Sequence, residues 1–177
     1  MDRFLEEVVT KHKRGLDEVL YYMSWVLMIF CAIIGAAMVY SLPYSFSVAT
    51  VIAAAIPLGI AAYLWYVLDR FRTEYEYTFT NGSLDFAMVF NNKKRKSLGS
   101  LNVAKVDAFG KVSSGSFRRH TSGNNIKHLR WFLNRDSELY YLAFSKEGQK
   151  SVIVFEPSED MVAYIKHYLP YGAHQEN

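Results

Sequence analysis

Arg72-Thr-Glu-Tyr-Glu-Tyr-Thr-Phe-Thr-Asn-Gly-Ser-Leu-Asp-Phe-Ala-Met-Val-Phe90 is the stretch from which the rest of the chain can be read. Thr73, Tyr75, Tyr77 and Phe79 alternate with Arg72, Glu74, Glu76 and Thr78, the period of a half-buried strand. Asn81-Gly82, the pair best suited to a two-residue hairpin turn, comes next. Leu84, Phe86, Met88 and Phe90 then alternate with Ser83, Asp85, Ala87 and Val89. Such a turn sets Phe79 opposite Leu84, Tyr77 opposite Phe86, Tyr75 opposite Met88 and Thr73 opposite Phe90. All four pairs share one face, so the hairpin needs a core on that side.

Upstream the chain changes character. No Asp, Glu, Lys or Arg occurs between Glu18 and Asp69, a gap of 50 residues. A net charge of +3 and a hydrophobic share of 51% conceal this split. Residues 1–18 carry four basic and five acidic side chains, and residues 69–177 carry sixteen and twelve. A bilayer core of about 30 Å takes roughly 20 apolar helical residues, so the gap accommodates two spans, 19–40 and 48–68. Between them Ser41-Leu-Pro-Tyr-Ser-Phe-Ser47 supplies a proline that cannot continue a helix and serines suited to a headgroup turn. Pro57 inside the second span predicts a local kink. Arg3, Lys11, Lys13 and Arg14 precede the first span, Arg70 and Arg72 follow the second, and the turn has no basic residue. By the positive-inside rule this predicts a multi-pass plasma-membrane protein with both termini cytoplasmic. Tyr21, Tyr22, Trp25, Tyr63, Trp65 and Tyr66 would mark the inner interface, Tyr40 and Tyr44 the outer one.

Ala32 with Ala36, and Ala55 with Gly59, place small residues at four-residue spacing, which serves packing within the hairpin or homo-oligomerisation alike. Within residues 1–18, Phe4, Leu5, Val8 and Val9 fall near one side of a helix, which predicts an interfacial cytoplasmic segment. Cys31, the one cysteine, reads as a small apolar residue in a helix and leaves no disulfide within one chain.

Downstream, residues 69–177 read as a cytoplasmic domain. Further strands are expected near 96–100, 106–112, 128–134, 138–145 and 150–155. Glu156-Pro-Ser-Glu-Asp160 then opens a helix with proline and acids in its first turn. Met161, Val162, Ile165, Tyr168 and Leu169 form its apolar face, and Pro170 and Gly172 end it.

The order of two apolar spans, seven strands and a terminal helix resembles the membrane-anchored bacterial proteins that carry a pleckstrin-homology-like (PH-like) domain. Tyr75-Glu-Tyr-Thr-Phe-Thr-Asn-Gly82, Lys93-Lys-Arg-Lys-Ser-Leu98 and the ending from Phe155-Glu-Pro-Ser-Glu-Asp160 to Pro170 carry the likeness, which covers roughly residues 19–170. It implies an α+β membrane protein: a transmembrane hairpin, then a seven-stranded antiparallel PH-like barrel or sandwich capped by the C-terminal helix. Fold and location follow from it, rather than an activity. Eukaryotic phosphoinositide-binding relatives carry basic residues on the first strand-to-strand loop. Here that loop is only Asn81-Gly82, which argues against specific phosphoinositide recognition.

Two segments are candidate contact surfaces. Lys93, Lys94, Arg95 and Lys96 form the densest charge cluster, and the second strand returns them toward the bilayer. Each basic residue near an anionic leaflet contributes about 1 kcal/mol, so the cluster suits inner-leaflet headgroups; a solvated turn is the plain alternative. Residues 113–127, rich in Gly, Ser and Asn and containing Phe117, Arg118, Arg119 and His120, read as a long connection able to bind a protein partner. Tyr140-Tyr141 and Trp131-Phe132 read as sheet residues facing both sides. His12, His120, His128, His167 and His174 show no metal-ligand spacing, no phosphate-binding loop is present, and the aromatics alternate inward rather than forming a nucleic-acid platform. A non-enzymatic adaptor without cofactor, metal or nucleic-acid partner is therefore expected. The alternative is an accessory subunit of a membrane export or envelope-stress complex that meets its partners through the hairpin.

Overall fold

The computed structural model describes residues 3–123 and 125–175. The chain divides into two compact units: Lys13–Thr73 forms one, and the flanking segments up to His12 and from Glu74 onward form the other.

The helical unit contains α1 (Gly15–Ser41) and α2 (Val48–Leu68). At about 1.5 Å per residue they run roughly 40 and 31 Å, enough to cross a bilayer. Only 11% of each helix's apolar window is buried, which distinguishes them from the core helices of a water-soluble fold. Ser47 caps α2, its Oγ accepting from the Thr50 amide at 3.1 Å while the Thr50 hydroxyl oxygen accepts from the Ser47 amide at 3.0 Å. Pro57 lies within α2 without ending it. Cys31 and Gly35 of α1, with Ala54 and Ala61 of α2, are the small residues buried in this unit. A Cβ on Gly35 would meet the Leu58 side chain at 2.6 Å, so the close approach uses Gly35. Ala32, Ala36, Ala55 and Gly59 are exposed, one position off the contact. After α2 a 3₁₀ turn (Asp69–Arg72) sets the Arg72 guanidinium 4.0 Å from the centre of the Tyr21 ring.

The other unit is built on two sheets. The first has the order β1-β2-β3-β4, from β1 (Phe4–Val9), β2 (Thr73–Thr80), β3 (Ser83–Phe90) and β4 (Lys94–Asn102). β2 and β3 meet at Asn81-Gly82, whose φ values of 48° and 90° are those the two-residue turn demands. Tyr75, Tyr77, Phe79, Leu84 and Phe86 are buried on one face, as the alternation predicts.

Residues 4–9 form a strand, which corrects the expected interfacial helix. Leu5 lies opposite Phe79 and Val9 opposite Tyr75. Both pack on the core while Phe4 and Val8 face outward, so pairing with β2 gives the segment a period of two.

The second sheet has the order β6-β8-β7-β5-β9, from β5 (Ala108–Lys111), β6 (Lys127–Trp131), β7 (Tyr140–Lys146), β8 (Gln149–Phe155) and β9 (His174–Gln175). The described residues thus hold nine strands in two sheets rather than seven in one antiparallel barrel. β6 runs parallel to β8 and β9 parallel to β5, so this sheet is mixed. Phe109, Leu142, Ile153 and Phe155 face the first sheet across a shared core. Met161 and Ile165 of α4 (Glu159–Tyr168) join that core. Pro157 precedes the helix instead of lying in its first turn, and Ser158 forms the N-cap, its Oγ accepting from the Met161 amide at 3.2 Å. Its own amide donates to the Glu7 carboxylate, also at 3.2 Å, which ties β1 to α4.

Candidate functional site

The basic cluster lies in the turn from β3 to β4 and on the first residues of β4. Asn91 and Asn92, both at positive φ, turn the chain, and all four basic side chains are exposed. Strand alternation divides them. Lys94 opposes Phe90 and Lys96 opposes Met88 on the core-side face, whereas Arg95 opposes Val89 on the other. There Arg95 Nε meets Glu76 Oε2 at 2.7 Å, so Arg95 is already committed to a neighbour within the sheet.

Residues 113–127 are not one long irregular connection. Gly115–Thr121 form a short helix, α3, which lies against the outer face of the second sheet. Tyr141, Ala143, Val152 and Val154 are buried there, with Phe117 and Ile126 packed on them. The Tyr141 hydroxyl donates to the buried Ser116 Oγ at 2.9 Å, and the Phe117 and His120 rings lie 5.3 and 5.9 Å from the Tyr141 ring. Burial and the Arg119 charge hold the His120 imidazole below its usual pKa. Phe117 and His120 are therefore anchors of a second small core, and Arg118 and Arg119 are the exposed side chains of this group. Tyr140 faces the main core while Tyr141 faces this one, and Trp131 and Phe132 divide in the same way.

A concavity with mixed chemistry lies where the two sheets remain open. β4 ends the first sheet and β6 ends the second. Between them is a cleft of about 310 Å³, within the size range of sites that take small ligands or side chains. Phe86, Leu129, Trp131, Phe144 and Ile153 form its apolar lining. The Trp131 ring packs on Phe86 at 4.7 Å, and the Tyr77 hydroxyl donates to the Trp131 carbonyl, which closes one end. Burial pushes the Tyr77 phenol well above its usual pKa, so it remains a donor. A bulge lies at Leu98-Gly99 on the β4 side, because Phe86 opposes Gly99 and Ala87 opposes Ser97. Lys127, Lys146 and Gln149 stand at the opposite end, with Glu147 the one acidic lining residue. None of these was a sequence candidate for binding, although the alternation of Lys127, Leu129 and Trp131 against His128 and Arg130 is visible in the sequence.

A larger hollow of about 510 Å³ is lined by Glu7, His12, Glu138, Glu156 and Glu159 among others. Burial raises the Glu7 carboxyl above its usual pKa despite its hydrogen bonds to Ser158. The buried Asn134 links three of the lining residues: its Nδ2 donates to the Thr10 carbonyl and to Glu156, both at 2.9 Å, and its Oδ1 accepts from the His12 amide at 2.7 Å. This network fastens the segment after β1 to the rest of the domain.

Two packed sheets with a terminal amphipathic helix, in a chain that also carries two long apolar helices, define a PH-like domain protein with a helical hairpin. A family-wide sequence comparison agrees: the family described as bacterial PH-like domain (DUF6106) matches residues 1–174, and the chain belongs to it. Neither the curated proteins nor the solved structures gave a match.

Proposed function

We propose that this protein is a non-enzymatic, membrane-anchored adaptor. Its hairpin crosses the plasma membrane with both chain ends in the cytoplasm, and its PH-like domain holds a protein partner, a second copy or inner-leaflet headgroups. One observation carries the reading. The helices keep apolar surface exposed along lengths that match a bilayer, while the apolar residues of the PH-like domain are packed into two cores. Arg70 and Arg72, with Tyr21, Tyr22 and Tyr66 against their guanidinium groups, give one end of the hairpin the basic and aromatic character of a cytoplasmic interface. The basic turn adds to this. β2 begins at Thr73 and β3 runs back beside it, so Lys93, Lys94 and Lys96 lie at the Thr73 end of the sheet. Anionic headgroups are the partner that such a turn suits.

The accessory-subunit reading has its own support in Ala32, Ala36, Ala55 and Gly59, which stay outside the hairpin contact and leave small-residue faces for another helix. Crosslinking of the full chain in cells, with mass spectrometry of the adducts, separates the two. Partners joined through the PH-like domain support the adaptor; partners joined only through α1 and α2 support the accessory subunit. Replacing Lys93, Lys94, Arg95 and Lys96 with glutamine is expected to increase protease access to the domain in anionic liposomes. Unchanged access rejects the headgroup contact.

A further inference from the structure

We propose that the cleft between β4 and β6 binds an extended, acidic segment of a partner protein, which adds as a strand along the open edge of β6. The proposal names the kind of partner that the adaptor reading leaves open. Three features of the cleft point to it.

The first is the edge itself. Among the described strands β6 pairs only with β8, so its other side presents a row of backbone donors and acceptors. An extended peptide satisfies such a row and a lipid does not. On the facing side the Leu98-Gly99 bulge interrupts β4, which leaves β6 as the more regular template.

The second is the alternation along β6. Leu129 and Trp131 turn into the cleft, whereas His128 and Arg130 turn outward. A strand beside β6 meets Leu129 and Trp131 on one face, with Lys127 at its end, and His128 and Arg130 on the other, so an alternating apolar and acidic segment is complementary to it.

The third is charge at the mouth. Lys127 and Lys146 stand there against Glu147 alone, and Arg130 adds a further exposed charge on β6. The open edge of β6 is thus basic. It repels a second copy of the same edge, the usual hazard of an unpaired strand, and accepts an acidic one.

Trp131 allows a direct test. The chain has three tryptophans, and Trp25 and Trp65 lie in the helices. In the full chain with Trp25→Phe and Trp65→Phe, purified in a neutral detergent, emission reports the cleft alone. The probes are an acetylated alternating Glu-Val octapeptide, the same peptide N-methylated at alternate residues, its Lys-Val counterpart, and dihexanoyl phosphatidylglycerol. Expected is a saturable change in Trp131 emission with the Glu-Val peptide only. Lys127→Glu with Arg130→Glu should weaken it by about tenfold or more and transfer the preference to the Lys-Val peptide, with the circular dichroism spectrum unchanged. An equal response to the N-methylated peptide, a response to the lipid in place of the peptide, or no response at all overturns the proposal. Because the titration needs neither a bilayer nor a cellular partner, its failure leaves the anchored-adaptor reading standing on its own test.

Discussion

Ile33 in α1 and Phe4 in β1 are exposed to almost the same degree, 64% and 61%, yet they belong to regions built on opposite rules. Along α1 and α2 exposed apolar residues are the norm: Phe30 is 60% exposed and Trp65 73%. In the PH-like domain apolar residues of the same kinds are withdrawn, and Tyr77 and Phe79 are fully buried. One chain therefore uses hydrophobicity twice. Burial against protein drives the β domain together in water. In the bilayer that the proposed function gives them, the hairpin helices would gain nothing from hiding apolar surface, and they touch through small residues such as Gly35 instead.

Mutations at matched positions measure this difference. Phe86→Ala removes a ring packed on Tyr77, Trp131 and Phe155, and should cost the β domain about 3–5 kcal/mol in denaturant unfolding. Ile33→Lys should cost about 2.5–3.5 kcal/mol in a membrane-insertion assay. Phe4→Lys, equally exposed, should change unfolding of the β domain by no more than about 0.5 kcal/mol. Asn134→Ala unfastens the segment after β1 and leaves the Thr10 carbonyl and the His12 amide without that partner. A loss of about 1–3 kcal/mol is expected, together with faster amide exchange along β1.

Glu7→Gln is the change most sensitive to pH. Burial raises the Glu7 carboxyl, so the folded state binds this proton more tightly than the unfolded state, and stability falls as pH rises through the folded value. The glutamine variant should melt above the parent at neutral pH, with the gap narrowing on acidification.

What the sequence reveals follows how local its causes are. The β2–β3 hairpin is encoded by adjacent alternation and a turn pair, and the helices by an uninterrupted apolar run, so both are legible. β1 is not, because Phe4, Leu5, Val8 and Val9 satisfy a helical face as well as a strand. Its partner β2 begins at Thr73, more than sixty residues away. α3 hides for a related reason. Its Gly- and Ser-rich sequence reads as a loop until Tyr141 supplies the surface on which Ser116 and Phe117 settle. The cleft is the least legible feature, since Lys127, Trp131 and Lys146 meet Phe86 only once β6 has paired in parallel with β8. The basic run at Lys93–Lys96 was legible as composition, but its division between two faces needed the register of β4.

Topology tests the central claim most directly. In a Cys31→Ser background, Ser45→Cys places a thiol in the turn between the helices and Ser122→Cys places one on the PH-like domain. Intact spheroplasts are treated with a membrane-impermeant maleimide. Labelling at position 45 in intact spheroplasts, and at position 122 only after permeabilisation, is the predicted result. Labelling of position 122 in intact spheroplasts, or of both positions only after permeabilisation, contradicts a membrane-crossing hairpin that carries a cytoplasmic PH-like domain.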